Sequence, residues 1–251
     1  MTWIAGVARR VLGRGRADVA AKSAAAVEAE RQERLLAASD KAVVALRLVL
    51  TDAPDSMGVR ARLAEMLVLR ARTLYEMERF AEALPPGAEG AGFYRALAAS
   101  DPEGFEPVLL DALNVHGVIL GNLDRADEAL APVDLSIEIL RRMSLSDPDV
   151  EAGLAEVLSL RSTLLGNLGR TAEALMFAEE SVGIWRRLAA ADPDRVPVLC
   201  DALMLCGSLL TRLGRTAEAS AVHEEALEIR RLRMEAARER AEAALKNFLV
   251  D

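Results

Sequence analysis

Aromatic side chains are scarce in this chain of 251 residues: two tryptophans, two tyrosines and five phenylalanines. Ala and Leu dominate, with abundant Glu and Arg, all good helix formers. A sheet protein of this size carries more β-branched and aromatic residues. Cysteine occurs twice, at Cys200 and Cys206, which gives neither a disulfide framework nor a zinc spacing. Both are expected to be small core residues in a reducing cytosol. Histidine also occurs twice, as His116 and His223, at positions that look buried in the pattern described below. Metal binding needs a convergent cluster that they do not supply. No run of 18 apolar residues is present to cross a membrane, and no secretory leader is legible, so a cytoplasmic location is expected. GxGxxG, Walker, nucleophile-elbow and HExxH patterns are all missing. No catalytic, cofactor or metal site is therefore expected, and the chain reads as non-enzymatic.

The net charge is −8. Phosphate neutralisation needs Lys and Arg, so nucleic acid is not an expected partner. Charge is unevenly placed: Arg9, Arg10, Arg14, Arg16 and Lys22 face one acid, Asp18, within residues 1–22. There, Trp3, Ile4, Val7, Val11 and Leu12 share one helical face, the pattern of a short interfacial helix. Three roles stay open for residues 1–16: weak contact with a membrane surface or partner (through Trp3, Ile4, Val7, Arg9, Arg10 and Val11), a cap on the first repeat, or disorder.

An internal repeat organises the rest. Gly121-Asn122-Leu123-Asp124-Arg125, Gly166-Asn167-Leu168-Gly169-Arg170 and Thr211-Arg212-Leu213-Gly214-Arg215 align, and their arginines lie 45 residues apart. Glu78-Arg79-Phe80-Ala81-Glu82-Ala83 is an earlier copy. Asp101-Pro102, Asp147-Pro148 and Asp192-Pro193 recur with the same period and mark helix stops followed by new starts. Each unit thus reads as two antiparallel helices, A before the Leu-Gly-Arg turn and B after it. The spacing predicts helices over 3–14, 23–51, 58–77, 79–99, 105–122, 126–145, 150–167, 171–190, 195–212 and 216–248. Pro85-Pro86-Gly87 predicts a break near residue 85, since an interior proline costs about 3 kcal/mol, and Pro132 predicts a kink.

These residues resemble the tetratricopeptide repeat. Leu203, Cys206-Gly207, Leu210, Gly214, Ala219, His223 and Ala226 fall at its spacings, as do Leu113, His116-Gly117, Leu120, Ala129 and Val133. Most of the family's aromatics are replaced, and the period is 45 rather than about 34. The array looks similar to the long-helix type of kinesin light chains and actinobacterial repeat proteins. HEAT-type repeats share the period, but the Leu-Gly-Arg-x-x-Glu-Ala turn favours the tetratricopeptide reading. The resemblance implies an all-α, right-handed superhelix (solenoid) of antiparallel helix pairs. Its segments would be a basic 1–22, a half-repeat 23–57, repeats 58–102, 103–148, 149–193 and 194–234, and an extended last helix 235–251. That helix reads as a cap, with homodimerisation as the alternative.

The resemblance further implies a groove lined by helices A that holds a peptide or helix of a partner protein. Its expected contacts are Arg72, Tyr75, Asn114, Val118, Asn122, Thr163, Asn167, Met204, Ser208 and Arg212. Asn122, Asn167 and Arg212 occupy one repeat position, where they could hydrogen-bond a bound backbone or carboxylate. The alternatives are a sensor for a peptide or small molecule, and an adaptor tethered to a membrane surface by residues 1–16.

Overall fold

The computed structural model describes the backbone of residues 2–143 and 147–248, and side chains over 26–143, 147–235 and at 238. The elements are α1 (Thr2–Asp52), α2 (Met57–Glu76), α3 (Phe80–Ser100), α4 (Pro102–Asn122), α5 (Ala126–Arg142), α6 (Pro148–Asn167), α7 (Thr171–Ala191), a 3-10 turn (Pro193–Arg195), α8 (Val196–Arg212) and α9 (Thr216–Phe248). No strand occurs among the described residues. The chain forms two compact units, 1–115 and 116–251, which divide within α4.

The helices A α4 and α6 begin on the Asp-Pro marker itself. Asp147 accepts from the Asp149 amide at 2.9 Å with Pro148 as first helical residue, and Asp101 accepts from Gly104 at 3.1 Å. Proline fits there because its missing donor would be unsatisfied anyway. Each helix A ends in the same way. In the third repeat the Arg170 amide donates to Leu165 O (2.9 Å) and the Gly169 amide to Gly166 O (3.1 Å), the two bonds of a Schellman cap. Arg79, Arg125 and Arg215 repeat the long bond to Leu74, Leu120 and Leu210. The same arginine then opens helix B and forks onto the glutamate three residues on. Nε and Nη2 of Arg170 meet Glu173 at 2.8 and 2.6 Å, and Arg79–Glu82, Arg125–Glu128 and Arg215–Glu218 copy the arrangement. These hydrogen bonds hold all four glutamate carboxyls below the usual range. Exposed pairs of this kind add little stability; they fix the turn.

The cap needs a left-handed residue ahead of each arginine. Gly169 (φ 75°) and Gly214 (φ 73°) supply it without strain, whereas Glu78 (φ 58°) and Asp124 (φ 56°) carry a Cβ there. Left-handed backbone costs a non-glycine residue about 1–2 kcal/mol. Glu78→Gly and Asp124→Gly should therefore each raise the unfolding free energy by roughly 0.5–1 kcal/mol, after the entropy glycine adds to the unfolded chain. Urea melts check this, and a loss of stability in both variants would refute it.

Three features differ from expectation. The two N-terminal helices are one, since α1 runs unbroken from Thr2 to Asp52. The first proline of the chain is Pro54, so no strong breaker interrupts it. The side chains of residues 1–25, and with them the contacts expected of Trp3, Ile4, Val7, Arg9, Arg10 and Val11, lie outside the described residues. Second, α3 continues through Pro85 and Pro86. Their missing donors would serve the carbonyls of Ala81 and Glu82, two exposed residues that water can reach, while Pro86, Gly87, Gly90 and Ala91 are buried against the hairpin partner. In α5, for which Pro132 predicts a kink and not a break, the helix is continuous. Third, His116 and His223 are only half-buried. His223 lies over Gly207, where a Cβ would come within 2.2 Å of its Nε2.

In the 1–115 unit α1 packs on α2 and α2 on α3, with Val43, Leu63 and Leu67 at the centre of one cluster. In the 116–251 unit the pairs α5–α6, α6–α7, α7–α8 and α8–α9 bury a continuous row that includes Leu158, Leu165, Trp185 and Leu203. Polar bonds recur between the helices. Ser181 Oγ donates to Ala155 O at 2.8 Å, and one repeat later Cys200 Sγ donates to Ala226 O at 3.7 Å. Arg141–Glu180 and Arg186–Glu225 pair successive helices B at equivalent positions.

Candidate functional site

Helices A keep one face open. On it aliphatic residues of one repeat position stay partly exposed, Leu69 and Val115 in the 1–115 unit and Leu160 and Leu205 in the 116–251 unit. The preceding turn carries an acid at the same position of every repeat: Glu65, Asp111, Glu156 and Asp201. Burial pushes the Glu156 carboxyl upward against the pull of Arg195. Val108 and Val198 extend the apolar part.

In the 1–115 unit this face folds into a cleft of about 240 Å³ between α2 and α4. Val68, Leu69 and Val108, the charged Glu65, Arg72 and Asp111, and Tyr94 of α3 line it. Arg72 Nη2 sits on both oxygens of Asp111, and Arg62 reaches Oε2 of Glu65 at 2.6 Å. Tyr94 is 6% exposed, and its hydroxyl makes no hydrogen bond among the described residues. Burial and then the carboxylates of Glu65 and Asp111 push its phenol above the ordinary value, so it stays neutral, able to donate and to accept. Tyr75 is placed elsewhere: half-buried at the end of α2, its ring lies 5.3 Å from that of Phe80. Asn114 is half-buried on α4.

In the 116–251 unit, glycine faces leucine between the C-terminal end of α4 and α6, and again between α6 and α8. A Cβ on Gly121 would meet Leu164 Cδ2 at 3.3 Å, and one on Gly166 would meet Leu209 Cδ2 at 3.4 Å, the same pair one repeat on. Thr163 and Ser208 are exposed but donate to carbonyls of their own helices, Ser159 O and Leu205 O. Val118 is half-buried; Met204 and Asn167 are exposed. Two members of the expected polar file are engaged within the chain. Asn122 Nδ2 donates to Val118 O at 2.9 Å, and Arg212 Nη2 to Gly166 O at 2.8 Å, at the C-terminal end of α6. Only Asn167 of the three shows no such bond.

Sequence reasoning missed Tyr94. The signal was present: its equivalents in later helices B are Leu140, Trp185 and Arg230, so one repeat alone places a hydroxyl there. Elsewhere Arg161 stacks over Phe177 at 3.9 Å and pairs with Asp134, a contact that holds α5, α6 and α7 together. Cys200 and Cys206 are buried, and burial pushes both thiols up, away from the reactive thiolate. On α9 Leu227 and Met234 are exposed, where α7 has Val182 and Ala189. Among the described residues no helix is long and apolar enough to cross a membrane, and no three His, Cys, Asp or Glu side chains group as metal ligands.

Residues 201–232, the core of the α8–α9 hairpin, match the tetratricopeptide repeat family. Two solved structures are similar to the chain at 16% identity. BtubC (BKLC) from P. vanneervenii aligns over 80% of this chain and 91% of its own, with a TM-score of 0.44. MamA aligns over 78% and 91%, with a TM-score of 0.46. No protein of curated function matches the chain. The matched hairpin shares its period, its Schellman cap and its arginine–glutamate fork with the hairpins before it, and the chain is a tetratricopeptide-type helical repeat protein.

Proposed function

We propose that the chain is a non-catalytic interaction scaffold that receives a peptide or helix of a partner protein on the open face of its helices A. The observation that carries this reading is the set of partly exposed aliphatic residues on that face. Each helix A packs its other side completely, as at Leu158, Leu165 and Leu203, yet leaves Leu69, Leu160 and Leu205 and the neighbouring Met204 within reach of solvent. An apolar strip between polar rows suits an extended or helical segment, with apolar anchors for affinity and polar edges for register. Tandem helical repeats commonly use such a surface for binding.

The test is site-specific photocrosslinking in cells. A benzoylphenylalanine at Thr163 or Met204 should give a discrete adduct. The same group at Met176, an exposed residue of a helix B, should give none. Adducts from Met176 alone, or none from the helix A positions, would overturn the reading.

A further inference from the structure

We propose that α1 carries a contact surface for a second copy of this chain, the two α1 helices lying antiparallel about a two-fold axis with residues 41–52 of each in the seam. α1 is not a helix A, so this pairing goes beyond the scaffold reading and does not depend on it.

α1 stands in the place of a helix B. Arg47 pairs with Glu89 of α3 at 2.5 Å, as Arg141 pairs with Glu180 and Arg186 with Glu225 between later helices B. In that register Leu35, Ala45 and Val49 of α1 correspond to Ala174, Ile184 and Leu188 of α7. α7 buries all three, and Ser162 of α6 donates to the Ala174 carbonyl, so a helix A packs on this side. α1 instead packs on α2, with Val43, Leu46 and Leu50 in the shared cluster, and Leu35, Ala45 and Val49 stay exposed. The open side is widened by Val44 and Leu48, 62% and 65% exposed, where α7 carries Gly183 and Arg187. Large apolar side chains left open on successive turns mark a contact surface.

Charge names the occupant. Along α1 from Glu28 onward, Glu28 pairs with Arg31, Glu30 with Arg34, Glu33 with Arg79, Asp40 with Arg70 and Arg47 with Glu89. Lys41 and Asp52 are exposed and have no ion pair among the described residues. They lie about three helical turns apart, on one stripe, at the two ends of the apolar patch. An antiparallel second copy sets Lys41 against its Asp52, Val44 against its Val49 and Ala45 against its Leu48. Two-fold symmetry repeats each contact, so one self-complementary patch yields two ion pairs around an apolar centre. A parallel pair would set Lys41 against Lys41 and Asp52 against Asp52. Ala45, small and central, lets the helices approach closely.

The seam runs for only about 18 Å of each helix, so the contact belongs with small, transient interfaces. A pair of chains also carries two copies of the open face of helices A. A partner that offers two segments then meets the second as an intramolecular contact.

Sedimentation equilibrium of the full-length chain at low ionic strength tests the pairing. A monomer–dimer equilibrium with a Kd of about 10–100 μM is expected. Leu48→Glu should weaken it by at least about tenfold. Lys41→Asp and Asp52→Lys each set like charges opposite one another and should each weaken it by about tenfold, whereas Lys41→Asp combined with Asp52→Lys should return to within about threefold of the parent. All three positions are exposed, so melting temperatures should stay at the parent value. A chain that remains monomeric to about 1 mM, a dimer that Leu48→Glu leaves intact, or a double variant no tighter than the single ones would each overturn the pairing. The double variant separates the antiparallel arrangement from a parallel one, in which exchanging the two charges restores nothing.

Discussion

Trp185→Ala should lower the unfolding free energy by about 3–5 kcal/mol, the usual cost of deleting a large aromatic from a packed site. Trp185 is 2% exposed on α7, a helix that packs on α6 to one side and α8 to the other. Repeat arrays are stabilised through nearest-neighbour interfaces, so a cavity in this helix weakens the contacts on which both adjoining hairpins depend. A domain's net stability is only about 5–15 kcal/mol, which makes the loss a large fraction of the whole. The same position one repeat later is Arg230, whose closest anionic partner is Asp201 at 3.9 Å across an exposed surface. Arg230→Ala should therefore stay within about 0.5 kcal/mol of the parent. Denaturant melts followed by circular dichroism compare the two. A Trp185→Ala loss no larger than that of Arg230→Ala would mean that the two positions are not packed as described. The contrast also explains α9: where an inner helix B carries Trp185 and Leu188, the last one carries Arg230 and Arg233, which water can cover.

The repeat was legible in the sequence because its punctuation is local. An N-cap aspartate before proline, a left-handed residue before arginine, and an arginine three residues ahead of glutamate each act within a few residues, so the letters alone announce the turns. Glu78 and Asp124 hid the left-handed position in the first two repeats, yet Arg79 and Arg125 still marked it. What was not legible depends on residues far apart in the chain. Arg212 looked free to meet a ligand, but its acceptor is Gly166, 46 positions away. The Pro85-Pro86 step looked like a break because propensity counts lost donors, and it does not count the burial of Pro86 and Gly87 that holds α3 in place. The Tyr94 cleft required knowing that a helix B side chain reaches between two helices A. A comparison of Tyr94 with Leu140 and Trp185 hints at this; only the packing shows that Tyr94 lines the cleft.

Gly90 and Gly92 should respond to alanine with opposite signs, although both lie in α3 and propensity alone predicts a gain of up to about 1 kcal/mol for each. A Cβ on Gly90 would lie 2.8 Å from Val68 Cγ2, 3.3 Å from Leu67 Cβ and 3.3 Å from the Ala64 carbonyl oxygen. Val68 is buried and β-branched, so its χ1 has little freedom in a helix. Ala64 O belongs to the backbone of α2 and can move only if the helix does. Gly90→Ala should thus cost about 1–3 kcal/mol, the range for overfilling a packed interface, and Gly90→Val should cost more. A Cβ on Gly92 would meet nothing within 4 Å. Gly92→Ala should accordingly stabilise by roughly 0.5–1 kcal/mol through reduced freedom of the unfolded chain. Thermal and urea melts of the two single variants decide the matter, since each serves as the other's control for helix propensity. If both variants gained stability, α2 and α3 would not approach as closely as the missing side chain at Gly90 permits. If Gly90→Ala alone loses stability, that close approach is what keeps α3 continuous past its two prolines and carries Tyr94 to the cleft.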